Sequence, residues 1–246
     1  MHLGVNMRSG LFGGPILLVV ALFVSNASLA QQYPVDSDEG VPGEELWAAC
    51  GFCHGPQGQG GPALDAPPLA GMQAWYVKNQ LNAFKNRWRG MHPEDVSGLQ
   101  MSIVSGMARN QATIDNIAAY IAALDPNPEP EIVRGEIAPS NRAFLWVSEY
   151  ADLDHPEPAN ADSGKAIYST VCIACHGESA NGNQALGAPQ LASLPDWYIH
   201  RQLQYFRDGL RGTDPADQRG ITMVPFAKSL TDNQAIADVA AYIETL

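Results

Sequence analysis

An all-α fold, built from two tandem copies of one helical unit, is what this sequence predicts, and three observations predict it. The first is a repeat at a constant offset of 122 residues, which relates His54 to His176, Trp75-Tyr76 to Trp197-Tyr198, Gln80-Leu81 to Gln202-Leu203, Phe84 to Phe206, Arg89-Gly90 to Arg211-Gly212, Pro93 to Pro215 and Met101 to Met223. From Cys50 to Leu124 the first copy aligns with the second without a gap and agrees at about a third of positions, more than chance gives over such a length. The second is apolar spacing of helical period in both copies. The third is the lack of any stretch with the strict alternation of a half-buried strand.

The elements follow in chain order. Arg8 precedes the apolar run Leu11 to Val24, and Ser28-Leu29-Ala30 places small residues before Gln31. Residues 1–30 therefore read as an export signal cut after Ala30, the alternative being a retained anchor; the run is short for a bilayer span and is broken by Gly13, Gly14 and Pro15. A first domain is expected over 41–126, an acidic Pro-rich linker over 127–160 and a second domain over 161–246. A helix should run into each cysteine motif, from about Gly43 in the first copy and from Ser163 or Gly164 in the second. The next helix buries Val77, Leu81, Phe84 and Trp88 in one copy and Ile199, Leu203, Phe206 and Leu210 in the other, stepping by four, three and four residues. Each copy closes on Ile114, Ile117, Ile121 and Leu124 or on Ile236, Val239, Ile243 and Leu246, with Thr231 and Gln234 a candidate capping box for the latter. The linker stretches DPNPEPE and HPEPANADS favour extended backbone, whereas AFLWVSEY between them is too apolar to stand in water and is expected to pack on a domain or to serve as a docking strip.

With 46% hydrophobic and 16% charged residues the chain is globular in composition, and its net charge is −12. The acidity is local: residues 31–49 hold five acidic and no basic side chains, and residues 125–165 hold nine acidic against three basic. Such a balance disfavours nucleic-acid binding and leaves a basic protein partner open, a solvated acidic linker being the plainer reading.

The chemistry sits in Cys50-Gly51-Phe52-Cys53-His54 and Cys172-Ile173-Ala174-Cys175-His176. A thioredoxin-like dithiol wants a neighbouring sheet, and zinc wants further ligands that neither copy offers. A plain disulfide leaves both histidines unexplained. Covalent c-type haem uses every residue: Cys50, Cys53, Cys172 and Cys175 form thioethers to the porphyrin, and His54 and His176 bind iron. For the opposite axial position the second copy has one methionine after His176, Met223. Of Met72, Met91, Met101 and Met107 in the first copy, the repeat offset selects Met101; the others are packing or surface residues. A thioether opposite a histidine raises the reduction potential, and a filled sixth position points to electron transfer rather than catalysis.

These motifs, the WYxxxQLxxF stretches at Trp75 and Trp197, and Met101 and Met223 resemble those of dihaem class I cytochromes c, close to the cytochrome c4 family. The resemblance covers nearly all of the chain after residue 30 except the linker, which is longer than a compact tandem needs. It implies two small helical cytochrome c domains related by a pseudo-twofold, two covalently bound haem c, a periplasmic location and service as an electron donor to a terminal oxidase. The expected partners are redox proteins: a terminal oxidase on one side, a quinol-oxidising complex or dehydrogenase on the other, with peripheral membrane association compatible. The alternatives are a haem enzyme, a peroxidase or sulfur-compound dehydrogenase with one open site at Met101, and a cytochrome subunit of a larger respiratory complex. Arg89 and Arg211 are candidates for neutralising haem propionates and Trp75, Tyr76, Trp197 and Tyr198 for hydrogen bonding to them, with ordinary fold contacts the competing reading. His92, His155 and His200 have no counterparts and are expected at the surface.

Overall fold

The computed structural model describes residues 39–126 and 158–246. The first set holds α1 (Gly43–His54), α2 (Ala74–Lys85), α3 (Val96–Val104) and α4 (Gln111–Ala123); the second holds α5 (Ala161–Val171), α6 (Ile173–His176), α7 (Asp196–Asp208), α8 (Gln218–Lys228) and α9 (Asn233–Glu244). Among the described residues there is no strand, only isolated bridges between Gly61 and Ala66 and between Asn183 and Ala188. The fold is all-α. No helix among the described residues is long and apolar enough to cross a membrane. The stretch 143–150 and His155 lie outside the described residues.

In each half the entering helix crosses the closing one, α1 on α4 and α5 on α9, and the middle helix, α2 or α7, packs on the closing one as well. A glycine lets each crossing be tight. A Cβ on Gly43 would lie 2.5 Å from the Asn116 carbonyl oxygen, and one on Gly164 would overlap the Asp238 carbonyl and stand 2.9 Å from Tyr242 Cβ. Behind these crossings sit two apolar cores, one around Leu46, Trp47, Val77, Ile114, Ile117 and Ile121, the other around Tyr168, Ile199, Ile236, Val239 and Ile243. Met72 packs against both, which joins the halves through one flexible side chain.

The duplication extends to backbone conformation. Among the described residues, four non-glycine residues have positive φ: Asp65, Arg87, Ala180 and Ser193. At each, the other copy has a glycine in the same left-handed region: Gly187, Gly209, Gly58 and Gly71. One such turn corrects the predicted helix length. The α2 and α7 helices stop at Lys85 and Asp208, because Arg87 and Gly209 turn the chain at φ 63° and 84°. Trp88 and Leu210 therefore fall beyond the helix, where the Trp88 and Leu210 amides donate to the Ala83 and Tyr205 carbonyls. The cap of α9 is also corrected: Asp232, not Thr231, accepts from Ala235 N at 2.8 Å, and Gln234 reaches forward to Asp238. His200 is corrected too. It is fully buried in α7, whereas His92 is half-buried.

Candidate functional site: two cavities that share one interface

The first cavity is lined by Cys50, Cys53, His54, Leu81, Phe84 and Met101, the second by Cys172, Cys175, His176, Leu203, Phe206 and Met223. Each half thus gathers the two cysteines, the histidine and the repeat-selected methionine around one space. Counted with their open mouths and the solvent in them, the cavities measure about 1380 and 1210 Å³.

Local structure sets the chemistry of the histidines. At the end of α1, His54 is buried and its Nδ1 lies 2.8 Å from the Pro67 carbonyl; His176 Nδ1 lies 2.9 Å from the Pro189 carbonyl. A carbonyl only accepts, so Nδ1 carries the hydrogen and Nε2 keeps its lone pair, the tautomer a metal ligand needs. Burial lowers the pKa of both rings, against a smaller opposing effect of the carbonyl bond, so both stay neutral. Burial pushes the Cys50 and Cys172 thiols up to about 11, so neither is a reactive thiolate at neutral pH. Among the described residues no three His, Cys, Asp or Glu converge as a metal cluster.

The methionines stand on capped helices. Asp95 accepts from Gly98 N at 2.8 Å at the start of α3, and Asp217 from Gly220 N at 2.9 Å at the start of α8. Ser102 Oγ, one residue after Met101, donates to the Arg89 or Gly90 carbonyl, both at 3.1 Å, and ties α3 to the turn after α2. The repeated Asp-x-x-Gly at the 122-residue offset carried this signal and escaped the sequence reading. Replacing Asp217 with alanine leaves the buried Gly220 amide without its acceptor and is expected to cost about 1 kcal/mol. A thermal melt should show a midpoint about 4–8 °C lower. Trp47 and Tyr168 were missed as well. Trp47 Nε1 donates to the Pro56 carbonyl at 2.8 Å and Tyr168 OH to the Gly177 carbonyl at 2.7 Å, so each entering helix holds the loop after its own Cys-x-x-Cys-His motif.

Each cavity is completed from the other half: Tyr198 and Gln202 line the first, Tyr76 and Gln80 the second. Here Arg89 and Arg211 are buried and form a nearly symmetric lattice. Arg89 Nη1 donates to Gln80 and its Nη2 to Gln202 at 2.9 Å; Arg211 Nη1 donates to Gln202 at 2.6 Å and its Nη2 to Gln80 at 3.0 Å. Each guanidinium lies over its own half's phenylalanine, Phe84 at 4.5 Å and Phe206 at 4.4 Å. Among the described residues neither arginine has a carboxylate partner, and both Nε atoms are buried without an acceptor. Burial raises the Tyr198 phenol, but the cations of Arg89, Arg211 and Arg201 outweigh it and bring the pKa below the ordinary tyrosine value. Three positive charges thus converge in a protein of net charge −12. Arg201 is paired with Asp65, but buried Arg89 and Arg211 have no such ion pair, and the two carboxylates of a porphyrin would supply the missing anions. The cysteines, the neutral histidines and the paired arginines fit haem c.

A family model described as Cytochrome c matches residues 41–125 and again 161–246. The chain belongs to the cytochrome c family. Among relatives of this cytochrome, a thiosulfate dehydrogenase electron acceptor of Stutzerimonas stutzeri is 28% identical over 197 residues, 79% of each chain. Cytochrome c4 of Azotobacter vinelandii is 26% identical over 218 residues, 85% of this chain and 89% of its own. In three dimensions, the crystal structure of reduced recombinant cytochrome c4 from Pseudomonas stutzeri superposes with a TM-score of 0.56 at 25% identity, covering 83% of this chain and 96% of that one. This cytochrome is a c4-like dihaem protein of tandem cytochrome c domains with two covalently bound haem c, and it transfers electrons.

Proposed function

We propose that this cytochrome is an exported carrier of single electrons, each haem held by the thioethers of Cys50 and Cys53 or Cys172 and Cys175 and ligated by His54 with Met101 or His176 with Met223. Haem c supplies the one-electron change between ferric and ferrous iron. The chain supplies the rest. Pro67 and Pro189 carbonyls fix the histidine tautomers, capped α3 and α8 carry Met101 and Met223, and Arg89 and Arg211 would offset the negative charge of the porphyrin carboxylates. The observation that carries this reading is that His54 and Met101, 47 residues apart in sequence, line one cavity, and His176 and Met223 do the same in the other. A weak far-red methionine-to-iron charge-transfer band in the ferric protein is the test. Two equivalents per protein are expected; one or none means an open or differently ligated haem, and the enzyme reading would replace the carrier.

Donor and acceptor follow from the same reading. A terminal oxidase takes the electron, and a quinol-oxidising complex or dehydrogenase supplies it. A dehydrogenase of sulfur compounds is the donor to try first, because relatives in Stutzerimonas stutzeri and Thiomonas intermedia are described as electron acceptors of thiosulfate dehydrogenase. The N-terminal sequence supports a periplasmic location, as an export signal over residues 1–30 requires.

A further inference from the structure

The interface is symmetric around the two glutamines and two arginines, but other contacts across it are not, among them Gln73 Nε2 donating to the Asn181 carbonyl, and one of these is an ion pair. Arg201, on α7 of the second half, reaches across to the first: its Nη1 lies 2.7 Å from Asp65 Oδ1 and its Nη2 donates to the Asp65 carbonyl at 3.0 Å. Both side chains are shielded, 6% and 17% exposed, and the guanidinium is backed by the Trp197 ring at 4.9 Å. The repeat places Asn79 opposite Arg201 and Gly187 opposite Asp65, so the mirror-related ion pair cannot form. Arg201 lines the first cavity, whereas Asn79 does not line the second.

We infer that Arg201, supplied by the second domain, is a positioning residue of the first haem site, acting through Asp65, and that this pair makes the first haem electrostatically unlike the second. The inference rests on the reading that Cys50, Cys53 and His54 hold the first haem. Two further observations support it. Asp65 stands two residues before Pro67, whose carbonyl fixes His54, so Arg201 grips the loop that orients the proximal ligand. Asp65 also sits at φ 56°, where the second copy keeps a glycine at φ 71°; an L-residue is disfavoured there, and the ion pair is what an aspartate adds that glycine cannot.

Charge sign separates this role from a merely structural one. Removing either partner leaves the other uncompensated in a shielded place beside the first haem. In Arg201→Gln the Asp65 carboxylate opposes the incoming electron, so the first-haem potential falls. In Asp65→Asn the Arg201 cation favours the electron, so it rises, and the double variant returns toward the parent. A role confined to packing loosens the same loop in both single variants, and both then shift the same way. Asp65→Gly, a residue this turn accepts in the second copy, provides a variant whose backbone is at ease, and it too should raise the potential.

Voltammetry on the haem-loaded protein, performed also in a Met223→His background that displaces the second-haem wave, reads the result. Opposite shifts of the first-haem wave, with the second unmoved, are expected. Shifts in the same direction, no shift, or movement of the second wave alone would overturn the inference. Mass analysis of peptides containing residues 50–54 and 172–176 separates its failure from that of the underlying reading: haem missing from 50–54 overturns the ligand assignment, whereas haem present with unmoved potentials overturns only the role of Arg201.

Discussion

Replacing Met223 with histidine is expected to lower the potential of one haem by a sizeable part of the roughly 0.8 V range that axial ligands command, and to leave the other nearly where it was. Met223 stands on α8, whose start is fixed by Asp217 and which carries Pro225 two residues further on, so the substitution changes the donor atom on an element held elsewhere. A thioether favours ferrous iron; an imidazole is the better donor to ferric iron, and the couple shifts toward the oxidised form. Voltammetry should then resolve two well-separated waves, and the far-red band should fall from two equivalents to one. Two unmoved waves would mean that Met223 does not ligate iron. The variant also isolates function: electrons collect on the first haem, so a partner that discharges the protein through the second domain should slow, while one that docks on the first should not.

Much of this site was legible because the duplication wrote it twice. The offset of 122 selected Met101 from four candidates and marked Arg89 and Arg211 together; in the structure Met72 and Met107 line the first cavity along with Met101, so the repeat alone singles it out, and the two arginines share one lattice. The same device failed where the copies differ. Upstream of the cysteines the offset is 121, which pairs Gly43 with Gly164 and Trp47 with Tyr168; the residue types change, and the shared hydrogen bond to the following loop shows only in space. His200 was placed at the surface because the first copy has no histidine at that position; Lys78 stands there, partly exposed and paired with Asp115 at 3.3 Å. Both α8 and α9 pack on α7, so more than one stripe of that helix is covered, and polarity gave no hint of it. Arg201 and Asp65 were unreadable for the opposite reason. Their partnership joins positions 136 apart that the repeat does not relate, and only the packing of one half on the other brings them together.

The helix crossings explain why the second haem site should be lost by a change that touches none of its ligands. Gly164 lies one turn inside α5, where the helix rests directly on the backbone of α9, and an added methyl would overlap the Asp238 carbonyl oxygen and crowd Tyr242 Cβ. Neither obstacle is a flexible side-chain end. The helices must separate, which strips contacts from Tyr168, Val239 and Ile243, and Ile243 is also part of the second cavity's lining. Gly164→Ala is therefore expected at the upper end of overpacking, about 3 kcal/mol or more, with a thermal midpoint lower by about 12 °C or more. Gly106→Ala, where the added Cβ meets nothing within 4 Å, is the control and should stay within about 0.5 kcal/mol. Because the first half keeps its own crossing at Gly43, the loss should be one-sided: earlier release of methionine ligation at the second haem on heating, seen as half of the far-red band melting well before the other half. A single cooperative melt that removes both halves together would mean instead that the interface around Arg89, Arg211 and Arg201 couples the two domains more strongly than each crossing stabilises its own.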